Sequence, residues 1–161
     1  MRRRKMSWYN FLFKKNEMEQ ENKLEALLAE DTELEKKIVE LDTPSYFSDK
    51  EMKCKCGCDS CNMDINFLCM LNKARAIDGK PWKINSAYRC SKHNASVGGK
   101  KTSAHLHGCA ADISAPTSAR KFEIVSAAMQ VGFNRIGVGK NFVHLDSDTS
   151  AGHPANVLWT Y

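Results

Sequence analysis

With 161 residues the chain has the length of one domain, and 42% hydrophobic against 27% charged residues is the balance of a protein with a real core. No stretch approaches the roughly 18 to 20 apolar residues of a membrane span, so no spanning helix is expected. The formal net charge of +5 is modest and unevenly placed, and a nucleic-acid function is not expected from it.

Arg2, Arg3, Arg4, Lys5, Lys14 and Lys15 form a basic tip. It suits nucleic acid, anionic lipid or an acidic partner, and equally a solvated tail. Ser7 to Phe13 is too short for a secretory signal, is broken by Asn10 and lacks a small-residue cleavage site. An export signal is therefore not expected, and reduced thiols are the default for a protein made in the cytoplasm. Residues 17–42 carry a heptad pattern, with Leu24, Asp31 and Ile38 on one seam and Leu27, Leu34 and Leu41 on the other. The pattern fits a short parallel coiled coil weakened by Asp31, or one amphipathic helix lying on its own domain or on a partner. Pro44 ends it, which divides the chain into an arm for docking or oligomerisation (1–43) and a folded domain (44–161).

Cys54, Cys56, Cys58 and Cys61 place four thiols within eight residues. A structural zinc, a disulfide involving this cluster or Cys90, and free thiols all remain open. Seven cysteines cannot all pair internally. Asp64 to Ile77 reads as a helix with Ile65, Leu68, Cys69, Met70 and Leu71 on its apolar side, stopped at Asp78-Gly79-Lys80-Pro81. Trp82 to Tyr88 reads as a strand delivering Arg89, and His93 to Thr102 as a loop at a cleft rim. Ser118 to Val131 reads as a helix burying Phe122, Val125, Ala128 and Met129. Ile136 to Gly139 turns into a Phe142 to Leu145 strand, and Val157 to Trp159 is a last strand or docked extension. Few helices and several short strands predict an α+β domain, a small antiparallel sheet flanked by helices on one side.

The chemistry concentrates between Ser103 and Asp112. A loop delivers His105, and a strand over Cys109 to Ile113 delivers Asp112. Imidazole nitrogen with carboxylate oxygen is a first-row metal set, most often used by zinc. The third ligand comes from Asn141 to Asp146, where His144 and Asp146 share one strand face. A His/Asp/His set leaves the fourth tetrahedral position for water. His107 reads as a rim or outer residue, and His153 is not expected to be a ligand.

Ser103, His105, Gly108, Ala110 and Asp112 together match Ser-x-His-x-x-Gly-x-Ala-x-Asp, with His144 downstream and Ser86-Ala87-Tyr88-Arg89, His93-Asn94 and Val97-Gly98-Gly99 upstream. From about Tyr46 to Asp146 the chain resembles the zinc D-Ala-D-Ala carboxypeptidases and related peptidoglycan peptidases, whose fold is shared with hedgehog signalling domains. The resemblance implies zinc at His105, Asp112 and His144, a substrate-binding place for Ser103, and a substrate carboxylate held by Arg89. It implies a zinc metallopeptidase, of D,D-carboxypeptidase or endopeptidase type, that cleaves peptidoglycan stem or cross-link peptides. Without an export signal, the expected setting is a phage lysis enzyme or a wall-degrading enzyme carried on a virion. Several family members have an acid three positions before the last histidine; here it is Asn141, and an amide cannot serve as a base. Asp146 is the substitute expected for that role, with Asp148 behind it. The alternative is a metal-stabilised binding module of a larger assembly, since hedgehog-type domains show that the fold can keep its metal for structure.

Overall fold

Side-chain alternation along Ala110–Ser114 and Phe142–Asp146 puts Ala111, Ile113, Val143 and Leu145 on one face, fully buried, and Asp112, His144 and Asp146 on the other. In the computed structural model, which describes residues 45–148 and 153–161 with Lys23 alone before them, these stretches are the centre of a five-stranded sheet. The expected basic tip and the heptad helix over 17–42 lie outside the described residues. The strands are β1 (Ile84–Ser86), β2 (Ala110–Ser114), β3 (Arg135–Val138), β4 (Phe142–Asp146) and β5 (Val157–Thr160), in the spatial order β1-β2-β4-β3-β5.

The expected α+β class is what the chain adopts, with four pairings of which three are antiparallel. The exception is β5, which runs parallel to β3. Its direction follows from its connection: the chain leaves β4, reverses, and returns on the far side of β3, which itself opposes β4. Ile136 to Val138, read as a turn, is a strand in its own right; the turn is Gly139 to Asn141.

Helices α1 (Asp49–Met52), α2 (Ile65–Asp78), α3 (Ser91–Ser96) and α4 (Ser118–Gln130) complete the domain. Asp64 caps α2 by accepting from the Phe67 N–H at 2.8 Å, and Gly79, at φ +68, ends it as the local sequence predicts. The core face of α2 is Phe67, Leu71 and Ala74, while Ile65 is exposed. Ile124, Ala127 and Ala128 of α4 and the partly buried Val131 that caps its end meet the core. Phe122 and Met129, expected inside, are 74% and 62% exposed. The small alanines let the helix approach closely, so the i, i+3, i+4, i+7 stripe of small and branched residues is buried in place of the bulky one. Among the described residues no helix is long and apolar enough to cross a membrane.

Asp78 ties three segments together. Its carboxylate accepts from Arg120 Nη1 and Nη2 on α4, at 3.0 and 2.7 Å, and from Trp82 Nε1 ahead of β1 at 2.6 Å. Burial pushes the Asp78 pKa up, but the Arg120 and Trp82 hydrogen bonds outweigh it and hold the carboxyl below its ordinary value. A depressed pKa contributes stability that is present at neutral pH and lost on acidification through the folded-state value. Asp78→Asn is expected to cost about 3 kcal/mol, because it removes the buried carboxylate that Arg120 and Trp82 both donate to and leaves Arg120 only the more exposed Glu123. Urea unfolding at neutral pH measures this, and the difference from wild type should shrink as the pH falls below the carboxylate range.

Candidate metal centre

One row of residues crosses the whole sheet: Ser86 on β1 pairs with Asp112 on β2, Asp112 with His144 on β4, His144 with Gly137 on β3, and Gly137 with Trp159 on β5. Asp112, His144 and Trp159 of this row line a cleft of about 740 Å³. His105 arrives from the 3-10 turn Ala104–His107, which Gly108 ends at φ +73 with its N–H donated to Ala104. A Cβ at Gly108 would lie 2.0 Å from the Asn62 carbonyl oxygen, so both space and backbone conformation require glycine.

His105, Asp112 and His144 each offer a ligand atom, and these three atoms lie within 4.8 Å of one another. Their hydrogen bonds show which atoms face inward. The Nδ1–H of His105 donates to the Ala87 carbonyl at 2.6 Å, leaving Nε2 3.3 Å from Asp112 Oδ2. His144 turns Nδ1 to Asp112 Oδ1 at 2.8 Å and Nε2 to Asp146 Oδ2 at 3.1 Å.

This donor set fits a cation. A neutral His105 whose proton is on Nδ1 aims a lone pair at a carboxylate oxygen, two acceptors facing each other. A neutral His144 has one proton for two carboxylates. A divalent ion between the three atoms resolves both conflicts, with each histidine donating its outer N–H, as metal-bound histidines generally do. Tetrahedral zinc with N and O ligands needs edges of about 3.3 Å, which the observed separations approach.

The electrostatics alternate along a line: Arg89, Asp112, His144, Asp146, Arg135. Arg89 Nη2 donates to Asp112 Oδ2 at 2.7 Å and its Nε to Ser86 Oγ at 2.8 Å. At the other end the Nε of Arg135 donates to Asp146 Oδ1, and its Nη1 to the Pro154 carbonyl. Burial opposes ionisation of Asp112, but His105 and His144 outweigh it and hold its carboxyl far below the usual range. Burial likewise opposes a charge on His144, but Asp112 and Asp146 raise its pKa.

Asp146 lies beside His144 as its strand position predicts, but both its oxygens are engaged. Oδ1 takes Arg135 and the Asp148 N–H (3.1 Å), and Oδ2 takes His144. Asp148 is buried behind it and meets His107 Nδ1 at 2.9 Å, so His107 is the outer residue expected. Ser103 precedes the 3-10 turn and lines the cleft.

Other cleft residues escaped the sequence reading. Trp159 and Tyr161 place their rings 5.6 and 6.3 Å from that of His144. They lie over Gly137, where a Cβ would come within 2.7 Å of Tyr161 and 2.8 Å of Trp159. His153 sits in the cleft wall, its Nδ1 3.7 Å from Asp148. The cysteine group also differs from expectation: Cys54, Cys56, Cys58 and Cys90 converge, and Cys61 does not. The Cys54 N–H donates to the Ser60 carbonyl at 2.9 Å, which closes the loop before Cys61 and leaves that residue exposed beyond it.

A mixed sheet whose open face carries Asp112 and His144, with His105 brought beside them by the 3-10 turn, presents a His/Asp/His set suited to a divalent metal. Consistent with this, residues 45–146 match the family described as Peptidase M15, and the chain belongs to that family. Its members are metallopeptidases, typically zinc-dependent, and their substrates are peptides. No curated protein matches the chain.

His105→Ala and His144→Ala should each lose about one equivalent of zinc relative to wild type, whereas Gly137→Val should keep it while displacing the Trp159 and Tyr161 rings. Elemental analysis reads the first effect and tryptophan fluorescence the second; zinc unchanged in both histidine variants would remove these ligands from the site.

Proposed function

We propose that the domain hydrolyses peptide bonds in peptidoglycan stem or cross-link peptides, as a zinc-dependent carboxypeptidase or endopeptidase. The observation that carries the proposal is the convergence of His105, Asp112 and His144 on the floor of an open cleft walled by Arg89, Trp159 and Tyr161. Zinc held by these three residues supplies Lewis acidity toward a peptide carbonyl and toward water.

The remaining groups bind and position. Arg89 donates to Asp112 and holds it aimed at the site, and brings positive charge to the cleft where a substrate carboxylate can meet it. Ser103 contributes a polar rim, and Trp159 and Tyr161 a wall against which the peptide packs. Asp146 holds His144 by its outer nitrogen and is itself held by Arg135, so it acts on the ligand rather than on the substrate. The proposed setting is wall degradation by a phage lysis enzyme or a virion-borne enzyme, with residues 1–43 as the docking arm.

Digestion of purified peptidoglycan, with mass analysis of the fragments with and without chelator, tests the activity and identifies the bond cut. No cleavage by the zinc-loaded chain would instead support the metal-stabilised binding module. Asp146→Asn separates the two roles of that carboxylate. Zinc affinity should fall about 10- to 100-fold, with activity recovered at high zinc. A collapse of kcat at full zinc occupancy would make Asp146 the base.

Arg89→Lys should lower kcat/KM on the order of tenfold, because an ammonium cannot reproduce the guanidinium's two directed hydrogen bonds. Zinc content should stay unchanged. Wild-type kinetics in this variant would remove Arg89 from substrate binding.

A further inference from the structure

We propose that Cys54, Cys56, Cys58 and Cys90 form a second metal centre, a structural tetrathiolate zinc site that anchors the segment carrying Arg89. The site is separate from the cleft, and the proposal does not depend on the activity proposed above.

The geometry is that of a tetrahedral sulfur cage. All four sulfurs lie within 4.8 Å of one another. The Cys54 and Cys56 sulfurs are 3.4 Å apart, and those of Cys56 and Cys90 are 3.7 Å apart. Zinc–sulfur bonds of about 2.3 Å at tetrahedral angles put neighbouring sulfurs about 3.8 Å apart. A disulfide requires about 2.05 Å, and none of the four cysteines is disulfide-bonded. Four soft donors in this arrangement select zinc over the harder divalent cations.

The backbone supports the cage. Three of its sulfurs come from one tight loop, Cys54-Lys55-Cys56-Gly57-Cys58, in which Gly57 takes φ +81 and can reverse the chain between two ligands. The fourth comes from Cys90, 34 residues beyond Cys56. The Cys90 N–H donates to Cys54 Sγ at 3.4 Å and the His93 N–H to Cys90 Sγ at 3.3 Å, so two of the sulfurs already receive the N–H donors that steady a thiolate.

The position gives the site a task. The Tyr88 N–H donates to the Met52 carbonyl at 3.1 Å, so the start of the domain already runs beside the end of the β1 segment. A metal bonded to Cys54 and Cys90 fixes that junction covalently. Arg89, one residue before Cys90, then reaches Ser86 and Asp112 from a backbone that cannot shift.

The test counts zinc per chain in the full-length protein purified under reducing conditions, for wild type, Cys61→Ser, Cys90→Ser and His144→Ala. About two ions are expected for wild type and for Cys61→Ser, and about one for each of the other two. Cobalt replacement gives a reading that does not require Cys90→Ser to fold. A sulfur-to-cobalt charge-transfer band should appear in wild type and persist in Cys61→Ser and His144→Ala. Absence of that band in wild type, a disulfide among these four cysteines in the unreduced protein, or undiminished zinc in a folded Cys90→Ser variant would each overturn the proposal. Because His144→Ala is scored separately, failure of the thiolate site and failure of the cleft site give different patterns.

Discussion

Asp112 and His144 stand opposite each other on β2 and β4, and the metal centre depends on that one register. A slip of one residue would send Asp112 into the core and Ile113 into the cleft. What prevents the slip lies on the other face, where Ala111, Ile113, Val143 and Leu145 are wholly buried against α2 and α4. Hydrophobic burial on one side of the sheet thus sets the positions of the ligands on the other. Glycine at 108 extends the same control to His105, because only a residue without Cβ lets the turn pass beneath the Asn62 carbonyl.

Charge is arranged with equal economy. Two acids and two histidines would be costly to hold together in a half-buried cleft, but each acid lies between cationic or proton-donating partners. Arg89 and Arg135 terminate the line at its two ends. An ion entering between His105, Asp112 and His144 therefore meets ligands already aimed, and a proton held between His144 and Asp112 has to leave.

Much of the centre was legible because its signals are local. His105, Gly108 and Asp112 lie within eight residues, and the apolar alternation around His144 announces both the strand and its face. Features made by distant contacts were not. Arg135 and Gly137 gain their meaning from β4 and β5, and nothing near them in sequence says that an acid or an indole will lie alongside. Cys90 displaces Cys61 for the same reason, since proximity in sequence misled where the chain reverses. On α4 Ala128 is buried and Val125 packs on the core as expected, while Phe122 and Met129 stay outside because a helix seated close on a sheet favours alanine over bulk. Two short helices were also missed. For α1 the signal existed: Glu51 accepts from the Ser48 N–H at 2.9 Å, the Ser-x-x-Glu capping arrangement. The six residues of α3 carry no such periodicity.

The row from Ser86 to Trp159 has a further consequence for how any peptide is read. It runs across the strands, on the face of the sheet, at about 4.8 Å per strand. A chain bound along it cannot join the backbone ladder, because β-augmentation takes place at a sheet edge. Recognition falls to side chains, which meet substrate atoms individually and impose none of the handedness that pairing with an L-strand demands. A cleft of this design is indifferent in principle to whether its guest is built from L- or D-residues, and stereochemical choice rests with the shape of the walls.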